Sequence, residues 1–263
     1  MRVGISGLAV SNAGGLGRLA RTAICALASA RPDWELHIYL RGEGDIEALH
    51  EECGATYAGV LDQATVHLPP PGWRARLLLE ELDLPRRFAT IKLDAYLGLD
   101  FTLATRRLAP IEAVMVPDLL PFTQPKSVSW KARWLYRRGL RQSLQLGARI
   151  VCISEQTRER FVAMFERHLE DNNPVADWAT LNVIHPALSP KLLALAESSA
   201  VHDRPLQVRG SHASFSGPGQ YLLYVGDFGP RKNVKLLVDV YRSMVEQGKY
   251  GGSLVLAGGD GRY

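Results

Sequence analysis

The chain has 263 residues, 46% hydrophobic and 22% charged, with a formal net charge of +4. Those values are ordinary for a globular protein and leave room for one large domain or two small ones. Three cysteines, Cys25, Cys53 and Cys152, are odd in number, widely spaced and set in apolar contexts. They imply neither a disulfide framework nor a metal cluster, and they fit a reducing cytoplasm. The opening MRVGISGLAV runs straight into a strand pattern instead of a basic leader with a long apolar core, and no apolar run is long enough to span a bilayer.

Arg2–Ser6 is expected to be a first strand, followed by the Gly-rich loop AGGLG at 13–17. From Leu16 to Ala30 a helix is expected, with Leu19, Ala23, Ile24, Ala26 and Leu27 as its apolar stripe. Pro32 ends it, and Glu35–Leu40 alternates as a second strand. Strand, Gly loop, helix, strand is a Rossmann-like opening, although the GxGxxG spacing is absent. A Gly-rich loop of this kind is also simply a tight turn.

Residues 45–94 say less. Asp45–Cys53 and Arg74–Leu82 read as helical, with the rigid run Pro69-Pro70-Pro71 between them. Asp94–Gly98 and Ile111–Val116 read as buried strands joined by 102–110. At the end of the second lies Val116-Pro117-Asp118-Leu119-Leu120-Pro121, the kind of place where ligands collect in open α/β sheets. Asp118 beside a proline is equally a turn cap.

Residues 129–147 form the most basic part. No acidic residue lies between Asp118 and Glu155, a stretch that holds seven Lys and Arg. On a helix, Ala132, Leu135, Tyr136, Leu140 and Leu146 share one face. Lys131, Arg133, Arg137, Arg138 and Arg141 lie opposite, among Trp130 and Trp134. Trp130, Trp134, Arg137 and Arg141 would suit an anionic membrane interface. The same pattern also describes a solvated helix whose charged stems cover its tryptophans. No nucleic-acid-binding fold motif accompanies it.

Ala148–Ile153 reads as a strand. Ser154 then caps a helix with Thr157 at its third position, and Leu181–Ile184 is a further strand. Residues 197–220 are polar, rich in Ser and Gly and aperiodic, which reads as a linker. Tyr221–Val225, Gly226, a loop containing Pro230, a helix through Val234, Leu237, Val238, Tyr241 and Val245, and Ser253–Ala257 make a βαβ unit. Its first turn brings Arg231 and Lys232 to a helix N-terminus, where unpaired N–H groups and the helix dipole favour an anion. Two basic side chains there suit a diphosphate; they are equally consistent with solvated first-turn charges.

The segment GDFGPRKNVKLL resembles the donor-phosphate turn of the large retaining ("group 1") family of GT-B glycosyltransferases, which includes many bacterial mannosyltransferases. Three further places resemble that family in the same order: the Gly loop, the strand-end Asp-Leu-x-Pro and the Ser-Glu-x-Thr-Arg helix start. The resemblance implies an α/β fold of GT-B type, a Rossmann-like N-terminal domain followed by the first βαβ unit of a second. It implies that Gly14, Gly15, Gly17, Arg18, Gly226, Arg231 and Lys232 bind the donor, with Asp118 catalytic and Leu119 and Pro121 on the acceptor side. Pro117 stands where the family has a His that contacts the transferred sugar.

On this resemblance, residues 1–196 are the acceptor-side domain, 197–220 a linker, and 221–263 an incomplete donor domain. In the family, that domain continues into a Gly-rich donor loop and a pair of Glu spaced eight apart, so the chain reads as a truncated enzyme that lacks full activity alone. The implied reaction is metal-independent. It moves a sugar, with retention, from a nucleotide-diphosphate sugar to a saccharide or lipid-linked acceptor in cell-surface polysaccharide synthesis. No cofactor is implied beyond that substrate, nor any nucleic-acid partner, and the expected place is the cytoplasm, either free there or peripheral on the inner face of the membrane. Two other readings stay open: a non-catalytic remnant that binds a membrane or a partner, and a GT-B-like sugar-nucleotide epimerase.

Overall fold

A computed structural model describes residues 1–12, 14–72, 75–104, 106–172, 181–197 and 221–259. The chain divides into two compact units, Met1–Lys126 with Trp130–Ser198, and Ser127–Ser129 with Ser199–Tyr263. The proposed linker falls almost entirely on residues 198–220, outside the described residues.

The first unit is built on a seven-stranded sheet in the order β3-β2-β1-β4-β5-β6-β7. Its strands are β1 (Arg2–Ser6), β2 (Glu35–Tyr39), β3 (Thr65–His67), β4 (Ala95–Gly98), β5 (Ile111–Val116), β6 (Arg149–Cys152) and β7 (Leu181–Val183). All neighbours run parallel. In β1 and β2 every residue after the first is buried, as expected for central strands covered on both faces. Helices α1 (Gly15–Ala30), α2 (Glu43–Leu61), α3 (Arg76–Leu78), α4 (Leu84–Ala89), α5 (Leu120–Thr123), α6 (Trp130–Gln145), α7 (Glu155–Asn172) and α8 (Pro190–Glu197) provide the cover. Strand order reverses between β1 and β4, so the carboxyl ends of these two strands flank the topological switch point.

Several sequence expectations are revised. The buried side of α1 is Ala20, Ile24, Cys25 and Ala28, while Ala26 is exposed. Cys25 and Cys53 form a disulfide, because α1 and α2 pack side by side and bury both residues with their Cα atoms 5.7 Å apart. Only Cys152 is a free thiol; its burial pushes its pKa up to about 12, which leaves it an inert core residue. The helix expected at 74–82 is interrupted by a π-helical turn at Leu79–Asp83, and β3 and α8 were not foreseen. Among the described residues no helix is long and apolar enough to cross a membrane.

The second unit contains β8 (Tyr221–Val225), a 3₁₀ turn at Pro230–Lys232, α9 (Val234–Glu246) and β9 (Ser253–Ala257). β8 and β9 pair in parallel, so this is the expected βαβ unit. One helix cannot cover two faces of a two-stranded sheet, and Leu223 and Val225 are 54% and 72% exposed.

Candidate functional site

The loop that leaves β1 turns at once: the Gly7 N–H donates to the Tyr39 carbonyl (2.8 Å), and those of Val10 and Asn12 donate to Gly7 and Ala9. The Arg21 guanidinium in α1 holds the loop, donating to the Val10 carbonyl at 2.7 Å and pairing with Glu52 of α2 at 3.0 Å. Gly17 serves packing, since an added Cβ would lie 1.8 Å from the Asn12 carbonyl oxygen. Gly14 and Gly15 have open space where a side chain would be, and Arg18 is exposed. Of the four N-terminal residues expected to bind the donor, three therefore face outward at the start of α1 and one is a close-approach glycine.

Beyond β4 the chain is tighter. Gly98 and Gly139 both lie against Thr102: an added Cβ would be 2.2 Å from the Thr102 carbonyl oxygen at the first and 2.3 Å from Thr102 Cγ2 at the second. Phe101 takes a left-handed backbone with φ of 54°. This close approach seals a polar cluster that the sequence did not reveal. Arg76 lies 2.7 Å from Glu80 and 2.7 Å from Asp100 Oδ2, the latter at ion-pair distance without hydrogen-bond geometry. A terminal Arg76 nitrogen also donates to Thr102 Oγ1 at 2.8 Å. Thr102 Oγ1 in turn lies 2.8 Å from Glu80 Oε1 and 3.2 Å from Asp100 Oδ1.

A hydroxyl has one hydrogen, and the shorter contact assigns it to Glu80. The Thr102–Asp100 contact is then a hydrogen bond only if Asp100 carries a proton. Burial drives Asp100 the same way, and with Glu80 it outweighs the Arg76 charge, raising the carboxyl pKa to about 6. Burial opposes the Arg76 charge, but Asp100 and Glu80 overcome it and raise its pKa. The π-helical turn supplies this cluster with Glu80, pairs Glu81 with Arg138 of α6, and gives the Tyr39 hydroxyl its acceptor in Asp83 at 2.7 Å.

Beyond β5, Asp118 Oδ1 accepts the Leu120 N–H at 2.9 Å, closing a tight turn that leads into α5. Leu119 and Pro121 are buried, Leu119 within the main core, so their side chains serve packing rather than an open surface. On α6, Gly139, Leu140, Ser143 and Leu144 form the buried side. Trp130 and Trp134 are 68% and 51% exposed, and Arg141 is exposed. Arg137, expected on the outward face, turns inward: its Nε donates to the Pro121 carbonyl at 2.9 Å and its guanidinium stacks 5.3 Å from the Phe122 ring. Lys131 and Arg138 lie over the two tryptophan rings, each 5.7 Å from its ring centre.

In the second unit, Gly226 leaves β8 at φ of 156°, and an added Cβ at Gly258 would lie 1.7 Å from the Gly226 carbonyl oxygen. Asp227 ties the following loop, accepting the Gly229 N–H on Oδ1 and the Tyr224 hydroxyl on its carbonyl. Pro230, Arg231 and Lys232 then make the 3₁₀ turn, and left-handed Asn233 caps α9. Lys232 is exposed; the side chain of Arg231 lies outside the described residues.

No family model matches the chain, and a search of curated proteins finds no match. Among solved structures, an FMN-dependent Ubix-like decarboxylase from Escherichia coli is 13% identical with a TM-score of 0.29, covering 71% of this chain and 80% of that one. A mutant O-GlcNAc transferase from Thermobaculum terrenum is also 13% identical, with a TM-score of 0.29 over 74% of this chain. The chain spans 46% of that transferase. At these values the two neighbours assign the chain neither a reaction nor a ligand. The parallel α/β fold rests on its own strand order and register.

Proposed function

We propose that the chain is a glycosyltransferase of GT-B type, or part of one, that uses a nucleotide-diphosphate sugar as donor. The observation that supports this most is the second unit: a parallel β8–α9–β9 motif whose strand-to-helix turn is Pro230-Arg231-Lys232, with Lys232 open to solvent. The donor diphosphate is assigned to that turn. Arg231 and Lys232 there offset the charge that builds on the leaving diphosphate, where fixed cations contribute most. The acceptor is assigned to the crevice of the first unit, with Asp118 held in place by the Leu120 N–H.

Calorimetric titration with UDP and GDP tests the donor assignment. The wild-type chain is expected to bind one of them saturably, and Lys232→Ala to bind it at least roughly tenfold more weakly, the scale of one charge-assisted hydrogen bond. Equal affinity in the variant contradicts the assignment.

A second reading, contact with an anionic membrane, draws support from one observation. Trp130 and Trp134 stay largely exposed on a basic helix, each beneath a cation. It is compatible with a lipid-linked acceptor.

A further inference from the structure

Of the cationic side chains near the switch point, most have an evident partner. Arg76 is claimed by Glu80 and Asp100, Arg21 by Glu52 and the β1 loop, and Arg138 by Glu81. Arg41 differs. It lies two residues past the end of β2, and its backbone is fixed because its N–H donates to Asp45 Oδ2 at 2.9 Å. Its side-chain Nε is buried with no hydrogen-bond partner among the described residues. A buried guanidinium N–H left without an acceptor is costly, and native structures rarely keep one unless a ligand or water completes it.

The surroundings indicate what would complete it. Arg41 stands at the carboxyl edge of the sheet, the same edge that carries Asp100 after β4 and Asp118 after β5. α6 brings Tyr136 to this edge, its ring 4.6 Å from Phe101 and under the Arg76 guanidinium at 5.9 Å. Burial first, then Asp100, raise the Tyr136 pKa; Asp118 acts in the same direction, while Arg76 and Arg41 oppose it.

We propose that the carboxyl edge of the sheet, where Arg41 stands after β2, binds an oxyanion, a phosphate or carboxylate borne by the acceptor, through the Arg41 guanidinium. As a statement about the acceptor, this rests on the transferase reading; as an anion site in the first unit, it stands alone. A planar guanidinium offers parallel N–H groups to two oxygens of such a group, which ammonium does not.

The test uses the full chain carrying Lys232→Ala, which removes the second unit's exposed turn lysine, with inorganic phosphate and glucuronate as probes. The Arg41 Nε–H resonance, assigned by its loss in Arg41→Lys, is expected to shift saturably with one or both probes, phosphate pointing to a phosphorylated acceptor and glucuronate to an acidic sugar. Arg41→Lys, whose affinity is read by calorimetry because it lacks that resonance, is expected to weaken that binding at least roughly tenfold. Arg41→Gln should bind neither probe, and Arg41→Lys guards against a folding defect in it. An Nε–H resonance indifferent to both probes, or equal affinity in Arg41→Lys, overturns the proposal and leaves Arg41 a water-bonded surface residue. Either result leaves the nucleoside-diphosphate titration of Lys232→Ala unaffected, so the two assignments fail separately.

Discussion

Asp100 illustrates how little a single residue type reveals before the chain is folded. In the sequence it is one acid after a short strand; in the fold it is wholly buried between Arg76 and Thr102. One guanidinium faces two carboxylates there, so the cluster is neutral only when one of them is protonated. The Asp100 pKa rises from an ordinary 3.8 to about 6. Between those values the folded chain holds a proton that the unfolded chain has released, so stability falls as pH rises through that window. The loss amounts to at most roughly 3 kcal/mol. Asp100→Asn keeps the neutral shape and should flatten the stability profile between about pH 4 and pH 6; denaturant midpoints measured across that range check it. A variant that retains the wild-type slope would place the proton elsewhere. Asp118 stands at the other extreme: the turn bond it accepts from the Leu120 N–H is legible in its place beside a proline.

At the scale of elements, periodicity and punctuation carried most of the information. β1 and β5 and the β8–α9–β9 unit occur where strand patterns and Pro230 placed them, and α1 ends just before Pro32. The misses have physical causes. β3 is a three-residue edge strand, too short to show alternation. The π-helical turn at Leu79–Asp83 breaks the 3.6-residue period within an otherwise helical run, and it aims Glu80, Glu81 and Asp83 at three different elements. The disulfide joins residues 28 apart whose proximity follows only from how α1 packs on α2. Arg41 and Arg76 carry no motif, so nothing local marked them.

The helix α6 makes its own prediction. Its outward side offers Trp130, Trp134 and Arg141, whereas Arg137 is committed to α5. If this surface meets lipid, the chain should co-sediment with vesicles rich in phosphatidylserine and much less with phosphatidylcholine vesicles. Trp130→Ser with Trp134→Ser should lose most of that binding while leaving thermal stability nearly unchanged, because both rings are mainly in solvent. Sedimentation equal to wild type would make the surface an ordinary solvated helix face.

At the scale of the whole molecule, one parallel sheet has a strand-order reversal, and a separate βαβ unit provides a basic strand-to-helix turn. The fold class was readable because parallel α/β folds repeat the same signals along the chain: buried strand, Gly-rich exit, amphipathic helix. A candidate site is legible in sequence only where a local motif gathers the residues, as at the proposed Pro230-Arg231-Lys232 turn. Where chemistry is assembled from distant strand ends, as around Asp100 and Arg41, the fold had to come first. Whether the second unit's turn is a diphosphate site decides the transferase reading. Hydrogen–deuterium exchange with and without the preferred nucleoside diphosphate measures this directly. Slower exchange concentrated on the amides of residues 226–236 is the predicted result; unchanged exchange there, or protection confined to the first unit, would contradict it.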